Sequence, residues 1–315
     1  MMAAGHQPVM LERAVAALRL APGDSVIDAT FGGGGHSRLI LAALGSGGSL
    51  VGIDRDPEAA GRAQELLEDP RFEFVSGAYD EALWAMVERG RSADAILFDL
   101  GLSSFQVDEP GRGFSYLREG PLDMRMDPRS GATAADFLNS AEVGELARVL
   151  TQYGDVPRGE AGRVAREVVR RRPLVVTTDL YEAVRAALGW KERGGNPANR
   201  IFQAVRVRVN DELGSLGRAL EAAERLLTPG GRLVVITFHS GEDRIVKRFI
   251  ADREGRCVCP PELPVCTCGA RPVLRRGVTR KPSAREVAEN SRSAPARLRS
   301  ATRTSEPPEL AESPR

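Results

Sequence analysis

No run of about 18 apolar residues occurs in the chain, so no segment of it reads as a membrane-spanning helix. The opening MMAAGHQPVMLERAV has neither a basic n-region nor an apolar h-region, so it does not read as a secretory signal. We therefore expect a cytoplasmic protein without a membrane partner. Cysteine is confined to Cys257, Cys259, Cys266 and Cys268, a spacing too local to staple distant parts of a fold. An excess of one charge is also missing: 44 Lys and Arg stand against 43 Asp and Glu, for a formal charge of +1. Bulk electrostatics thus name no partner, and any basic surface must be local. With 42% hydrophobic and 28% charged residues, the composition excludes collagen, mucin and wholesale disorder. The 315 residues allow one large domain or two ordinary ones.

Short apolar runs alternate with helical patterns through the first hundred residues, as in parallel βαβ units under helices. Ser25 to Thr30, Leu50 to Asp54, Phe72 to Val75 and Ala95 to Asp99 are the candidate strands. Helical stretches near 10–19, 36–44, 57–68 and 80–89 surround them, which predicts an α/β fold with one open, doubly wound sheet. The strand rhythm then stops, and a Gly/Arg-rich loop leads to helical segments near 134–150, 158–172 and 178–188. We expect an inserted all-helical domain over 110–195 within a discontinuous Rossmann-like domain formed by 1–109 and 196–303. A long periodic stretch, Asn199 to Leu227, precedes Thr228-Pro-Gly-Gly231 and a fifth buried strand, Arg232 to Phe238. A helix near 241–252, the cysteine segment and a basic tail follow, with Ala296 to Ser300 as a candidate last strand. Residues 304–315 are rich in Pro, Glu and Ser and read as a disordered tail.

The strongest local signal is Asp28-Ala-Thr-Phe-Gly-Gly-Gly-Gly-His-Ser37, a strand entering a four-glycine turn that opens a helix. Glycines allow a ligand to approach the backbone, and a helix N-terminus attracts negative groups. Asp54 ends the next strand, where a carboxylate can accept both hydroxyls of an adenosine ribose. Together they describe a site for an adenosine-containing cofactor; a tight turn beside a helix-capping acid is the plainer alternative. The dinucleotide fingerprint needs a third glycine where Ser37 stands, which argues against a nicotinamide oxidoreductase. Asp99 closes the fourth strand and should face the same crevice, either as a reacting group or as a loop-bracing carboxylate. His239 ends the fifth strand and is a candidate on the substrate side or a structural histidine.

Several motifs carry a resemblance. Asp28-x-Thr-Phe-Gly-x-Gly-Gly-His-Ser37, Gly52-Ile-Asp-Arg-Asp-Pro57, Asp99-Leu-Gly-x-Ser-Ser104 and Arg112-Gly-Phe-Ser115 are four of them. Gly120-Pro-Leu-Asp-Met-Arg-Met-Asp-Pro128, Asn210-Asp-Glu-Leu213, Phe238-His-Ser240 and Ala288-Glu-Asn290 complete the set. From His6 to about Arg299 the chain resembles the RsmH family, also called MraW. The resemblance implies a class I S-adenosylmethionine-dependent methyltransferase that methylates N4 of one cytosine, cytosine-1402 of the decoding centre. Its substrate would be bacterial 16S rRNA in the small ribosomal subunit or its precursor. It further implies that Gly34, Gly35 and His36 cradle the methionine part of S-adenosylmethionine, with Asp54 on the ribose and Tyr79 against the adenine. Asp99 and Gln106 would close the site, and no catalytic metal is implied. The family usually has Phe, Pro and Leu where Tyr79, Phe105 and Gly241 stand here.

Methyl transfer from a sulfonium needs alignment and exclusion of water more than a strong base. The cytosine amino nitrogen gains positive charge as the methyl arrives, so an acceptor aimed at its hydrogens would stabilise the transition state. Asp99, or a carbonyl of Leu100 to Ser103, is the expected acceptor. Two arginine clusters could hold RNA phosphates: Arg158, Arg163, Arg166, Arg170, Arg171 and Arg172 on one helix, and a tail running from Arg271 to Arg303. An ordinary solvated face is the alternative for each. The paired CxC elements at Cys257 to Cys268 admit a structural zinc, although reduced thiols on a surface loop are the plainer reading.

Overall fold

A computed structural model describes residues 8–189, 196–255, 259 and 270–306. Its helices are α1 (Leu11–Leu18), α2 (Gly35–Ala43), α3 (Pro57–Ala63), α4 (Tyr79–Glu88), α5 (Ser104–Asp108), α6 (Ala134–Ser140) and α7 (Val143–Gly154). There follow α8 (Arg158–Arg170), α9 (Thr177–Leu188), α10 (Ala198–Val209), α11 (Glu212–Leu226), α12 (Ser240–Asp252) and α13 (Ala284–Glu289). The strands are β1 (Ser25–Asp28), β2 (Ser49–Asp54), β3 (Phe72–Ser76), β4 (Ala93–Asp99), β5 (Leu227–Thr237), β6 (Leu274–Arg280) and β7 (Arg297–Arg303). Two compact units result, one built from residues 1–101 and 213–315 and the other from 102–212. Among the described residues no helix is long and apolar enough to cross a membrane.

The first unit holds a seven-stranded sheet in the order β3-β2-β1-β4-β5-β7-β6. Strands β1 to β5 are mutually parallel, and β7 pairs antiparallel with both β5 and β6. Strand order reverses between β1 and β4, the switch point where doubly wound sheets open a crevice. The side-chain period of two divides the buried strand residues between two cores. Val26, Leu50, Leu97, Val234 and Ile236 pack with Leu18 of α1, Ile40 of α2 and Leu44 just after it. Ile27, Val51, Ile96, Phe98 and Val235 pack with Leu83, Leu220 and Val246 of α4, α11 and α12. Each such buried side chain stabilises the fold by about 1.5–3 kcal/mol. With both faces covered, the central strands read as continuous apolar runs, which is why they were visible in the sequence. Asp80 fastens α4 to α11, accepting from Ser215 Oγ at 2.6 Å and Arg218 Nε at 2.8 Å.

The second unit is helical, with a core that includes Leu122, Met124, Leu138, Leu146, Val164, Leu180, Ile201 and Val205. The two motifs preceding its helices form one braced loop. Gly113 has φ +73, and a Cβ there would collide with the Pro121 carbonyl; one at Gly120 would meet the Pro110 carbonyl. Arg112 is buried and donates to the Met126 carbonyl at 2.8 Å. Asp123 accepts from Arg125 Nε at 2.8 Å, and the alternating Leu122, Met124 and Met126 enter the core. Asn210 finishes the brace: its Oδ1 accepts from Met126 N at 2.7 Å and its Nδ2 donates to the Met124 carbonyl at 2.7 Å.

Some expected boundaries move. The helical unit begins at Leu102 rather than 110 and ends at Glu212 rather than 195, because α10 supplies Ile201, Phe202 and Val205 to its core. The long periodic stretch from Asn199 is two helices, parted at Asp211, whose φ of 48° is left-handed. The pattern over 134–150 is likewise two helices, parted where Ala141 turns extended. Strand β6 lay in what read as a basic tail. Of the expected disordered tail, Thr304 donates from its backbone N to the Val273 carbonyl at 3.0 Å, and residues 307–315 lie outside the described residues.

Candidate active site

At the carboxyl end of β1 the chain enters the glycine turn, and five contacts fix its shape. Phe31 N donates to the Ile53 carbonyl at 2.8 Å, and Gly32 N donates to Asp54 Oδ2 at 2.7 Å. Arg62 Nε donates to the Gly32 carbonyl at 2.9 Å, and Arg38 Nη1 to the Gly33 carbonyl at 2.8 Å. Ser37 Oγ donates to Asp28 Oδ2 at 2.7 Å. Gly34 caps α2 with a left-handed φ of 74°, which suits glycine, and a Cβ there would come within 2.7 Å of the Phe31 ring. At Gly35 a Cβ would collide with the ring of Pro8, so that residue must also be glycine.

Asp54 ends β2 half-buried. Each of its oxygens accepts one backbone N–H, Oδ2 from Gly32 and Oδ1 from Asp56 at 2.9 Å. A carboxylate has about four acceptor positions. The two backbone bonds therefore set its orientation and leave a further lone pair on each oxygen, as two ribose hydroxyls would require. Burial raises the Asp54 carboxyl above its usual range, against the lowering effect of those bonds. Tyr79 opens α4 beyond β3, with its ring edge-on to Phe98 at 5.7 Å between centroids.

Asp99 ends β4, and its backbone N donates to Thr30 Oγ1 at 2.6 Å. One carboxylate oxygen, Oδ2, lies 3.6 Å from His36 Nδ1; the other, Oδ1, is buried without a hydrogen-bond partner. The His36 side chain is 5% exposed and that of Asp99 is 22%, so the crevice opens on the carboxylate rather than on the imidazole. Burial raises Asp99 well above the usual carboxylate range, and the charges of Asp28 and Glu242 add to the effect. Asp28 is fully buried, and burial pushes it up to about 6. Gly101 continues the wall with φ +93, and a Cβ added there would lie 3.4 Å from the Phe238 ring.

His239 caps α12. Its Nδ1 accepts from Gly241 N at 3.2 Å, and its Nε2 lies 3.2 Å from Glu242 Oε1. Glu242 Oε2 accepts from Phe238 N at 2.7 Å and from His239 N at 3.2 Å, completing a reciprocal cap. Nδ1 is thus engaged within its own helix start, whereas Nε2 is buried beside Glu242 without a hydrogen bond. Gln106 belongs to the helical unit, where its Oε1 accepts from Ser103 N at 3.1 Å and its N donates to Ser103 Oγ at 3.3 Å, capping α5.

Of the residues expected from sequence, Gly34, Gly35, His36, Asp54, Tyr79, Asp99 and His239 all belong to the first unit. Asp28, Arg62 and Glu242 had been given no role. The signal for Asp28 was Ser37, a hydroxyl in a position that favours glycine.

Four of the six arginines on and just after α8 are occupied within their own unit. Arg170 and Arg171 pair with Glu167 at 2.5 and 2.6 Å, Arg172 donates to the Leu138 carbonyl at 2.9 Å, and Arg163 to that of Ala187 at 3.3 Å. In the tail, Arg299 forms a two-pronged pair with Asp243, and Arg276 pairs with Glu254 at 2.6 Å. Arg275 and Arg280 stand exposed on β6 and form no ion pair among the described residues. Of the four cysteines only Cys259 is described; the zinc question lies outside the described residues.

The model of the MraW methylase family matches residues 3–304. A protein named ribosomal RNA small subunit methyltransferase H, from Rubrobacter xylanophilus, is 74% identical over 98% of each chain. One of the same name from Thermomicrobium roseum is 47% identical over 95% of this chain and 93% of its own. Among solved structures, an rRNA methylase from Streptococcus thermophilus superposes with a TM-score of 0.42 at 13% identity, covering 96% of this chain and 99% of that one. That likeness is too distant to add to the sheet order.

Proposed function

Because the chain belongs to the MraW methylase family, we propose that it transfers a methyl group from S-adenosylmethionine to N4 of the decoding-centre cytosine of bacterial 16S rRNA. The broader part of this reading, a methyltransferase acting on small-subunit rRNA, rests on the family and on the name its relatives share. The target atom rests on the motif resemblance and on the chemistry of Asp99. The observation that carries it is the buried, unpartnered Oδ1 of Asp99 beside a glycine turn and an oriented Asp54.

The donor set fits an S-adenosylmethionine cofactor. Asp54 offers two aligned acceptors for a ribose diol, Tyr79 an aromatic face for adenine, and Gly34 and Gly35 an open backbone at the start of α2. His36 with Gly34 and Gly35 would cradle the cofactor's methionine part, and Asp99 would help close the site. When bound, the cofactor supplies a methyl carbon made electrophilic by its sulfonium.

This chain's residues then have to orient and to hold protons. The turn is fastened to β2, α2 and α3, so the Asp54 carboxylate is preorganised and little ordering remains for the ligand to bring about. Asp99 would accept hydrogen bonds from the target amino group and stabilise the positive charge that grows on nitrogen during transfer. The cytosine must be turned out of its stack to reach that depth. His239 and Glu242 serve as positioning residues, holding the start of α12 at the crevice wall.

The test is methyl transfer from labelled S-adenosylmethionine to small ribosomal subunits lacking the modification, followed by mass mapping of the rRNA. Label on N4 of one decoding-centre cytosine, abolished by Asp54→Ala, is the expected result. Label on another base, or on ribosomal protein, would replace the substrate assignment.

A further inference from the structure

The crevice holds more carboxyl groups than methyl transfer by itself explains. Asp28, Asp54 and Asp99 end three neighbouring parallel strands, and Glu242 enters from the first turn of α12. The groups that face Asp99 are Asp28 from β1, Glu242 from α12 and His36 from α2. Among the described residues no lysine or arginine pairs with it; the nearest potential cation is His36, at 3.6 Å. Its Oδ1 is buried with nothing donating to it.

A carboxyl so placed is biased toward its protonated form. Desolvation and two neighbouring acids both disfavour the anion, and they raise Asp99 well above the usual carboxylate range. The role given to Asp99 above needs the opposite state, because only the carboxylate accepts from an amino group with both oxygens. A cation entering the crevice reverses the balance, since an opposite charge within a few ångströms favours ionisation.

We propose that the positive charge of the bound methyl donor ionises Asp99, so that the proton acceptor is armed only while the donor is present. This rests on the cofactor assignment of the preceding section. Binding releases the Asp99 proton to solvent through the opening on that side chain. On transfer, the bond between sulfur and methyl carbon breaks as the bond from nitrogen to carbon forms, and sulfur keeps the electron pair as a neutral thioether. The surplus proton on the methylated nitrogen passes to Asp99. The crevice then contains a protonated carboxyl and a product without the sulfonium charge, the pair of states in which Asp99 began. The acidic lining thereby favours donor over product by charge.

Calorimetric binding to the full chain tests this with two ligands. Sinefungin carries an ammonium group in place of the sulfonium and has no transferable methyl; S-adenosylhomocysteine has no charge there. Each is titrated between about pH 5.5 and about pH 8.5, in buffers of different ionisation enthalpy. While free Asp99 is protonated, sinefungin affinity should rise about tenfold per pH unit with release of one proton, and S-adenosylhomocysteine affinity should stay flat. Asp99→Asn should abolish the difference in slope. Equal slopes for the two ligands in the native chain overturn the proposal, and that comparison needs no variant. A steep slope retained in Asp99→Asn also overturns it, by assigning the proton to another group such as His36. If neither ligand binds, the cofactor assignment fails as well, which distinguishes that failure from a flat but measurable affinity.

Discussion

The hydroxyl of Ser37 donates to the carboxylate of Asp28 across 2.7 Å, and both residues are fully buried. The bond ties the first turn of α2 to the end of β1 beneath the glycine turn. Glycine at this position, as in a dinucleotide fingerprint, would leave Asp28 Oδ2 without its donor. The departure from that fingerprint is therefore part of how this turn is held, in addition to being evidence against a dinucleotide.

Asp28 itself yields a stability prediction with a definite sign. Its carboxyl is raised from 3.8 to about 6 in the fold, chiefly by burial. A group raised on folding contributes stability that is fully present below the unfolded value, near 3.8, and lost as pH rises through about 6. The change is on the order of 3 kcal/mol. Asp28→Asn should remove it. In denaturant unfolding, the gap between native and variant should change across that window and level off above it; a constant gap would contradict the burial argument.

Asn210→Ala should destabilise the helical unit. It removes a donor and an acceptor from a buried brace and strands Met126 N and the Met124 carbonyl, at a cost of about 2–4 kcal/mol. Chemical denaturation followed by circular dichroism measures the loss. A change under about 0.5 kcal/mol would mean that water or another side chain restores those bonds.

His239→Asn and His239→Ala separate capping from chemistry. Asparagine keeps a cap acceptor, so that variant should retain native turnover on ribosomal subunits, whereas alanine should lower stability by about 1 kcal/mol. A large fall in turnover for His239→Asn with unchanged stability would place the imidazole against substrate instead.

The two arginine clusters predict different salt responses. Arg170→Ala and Arg171→Ala should leave the salt dependence of rRNA binding unchanged, because Glu167 already engages both guanidiniums. Arg275→Ala with Arg280→Ala should reduce the slope of log K against log salt by about two. Filter binding across a salt series distinguishes the outcomes, and an equal loss in both pairs would refute the assignment.

The parallel core was legible because β1, β2, β4 and β5 are buried on both faces and so carry unbroken Val, Ile and Leu. The places of Asp54 and Asp99 at strand ends were legible because each follows such a run directly. The split between α10 and α11 was not, since it depends on a left-handed Asp211 that no periodicity encodes. Nor was the fate of the α8 arginines, because which of them meets Glu167 or a carbonyl is decided by helix packing and not by their number. His239 illustrates the same limit: its place at the end of a strand was readable, and its commitment to the cap of α12 was not.

Strand β6 escaped notice for a related reason. Only Leu274 among its seven residues is buried, and it carries Arg275, Arg276 and Arg280 where a strand in the interior would carry aliphatics. An open sheet edge is ordinarily a template on which a second chain can add a strand. Here two copies brought edge to edge would bring their arginine rows together, and the repulsion would work against the pairing that their backbones invite. Among the described residues nothing pairs with the outer edge of β6, and the residues that hid the strand in the sequence are those that would oppose such growth.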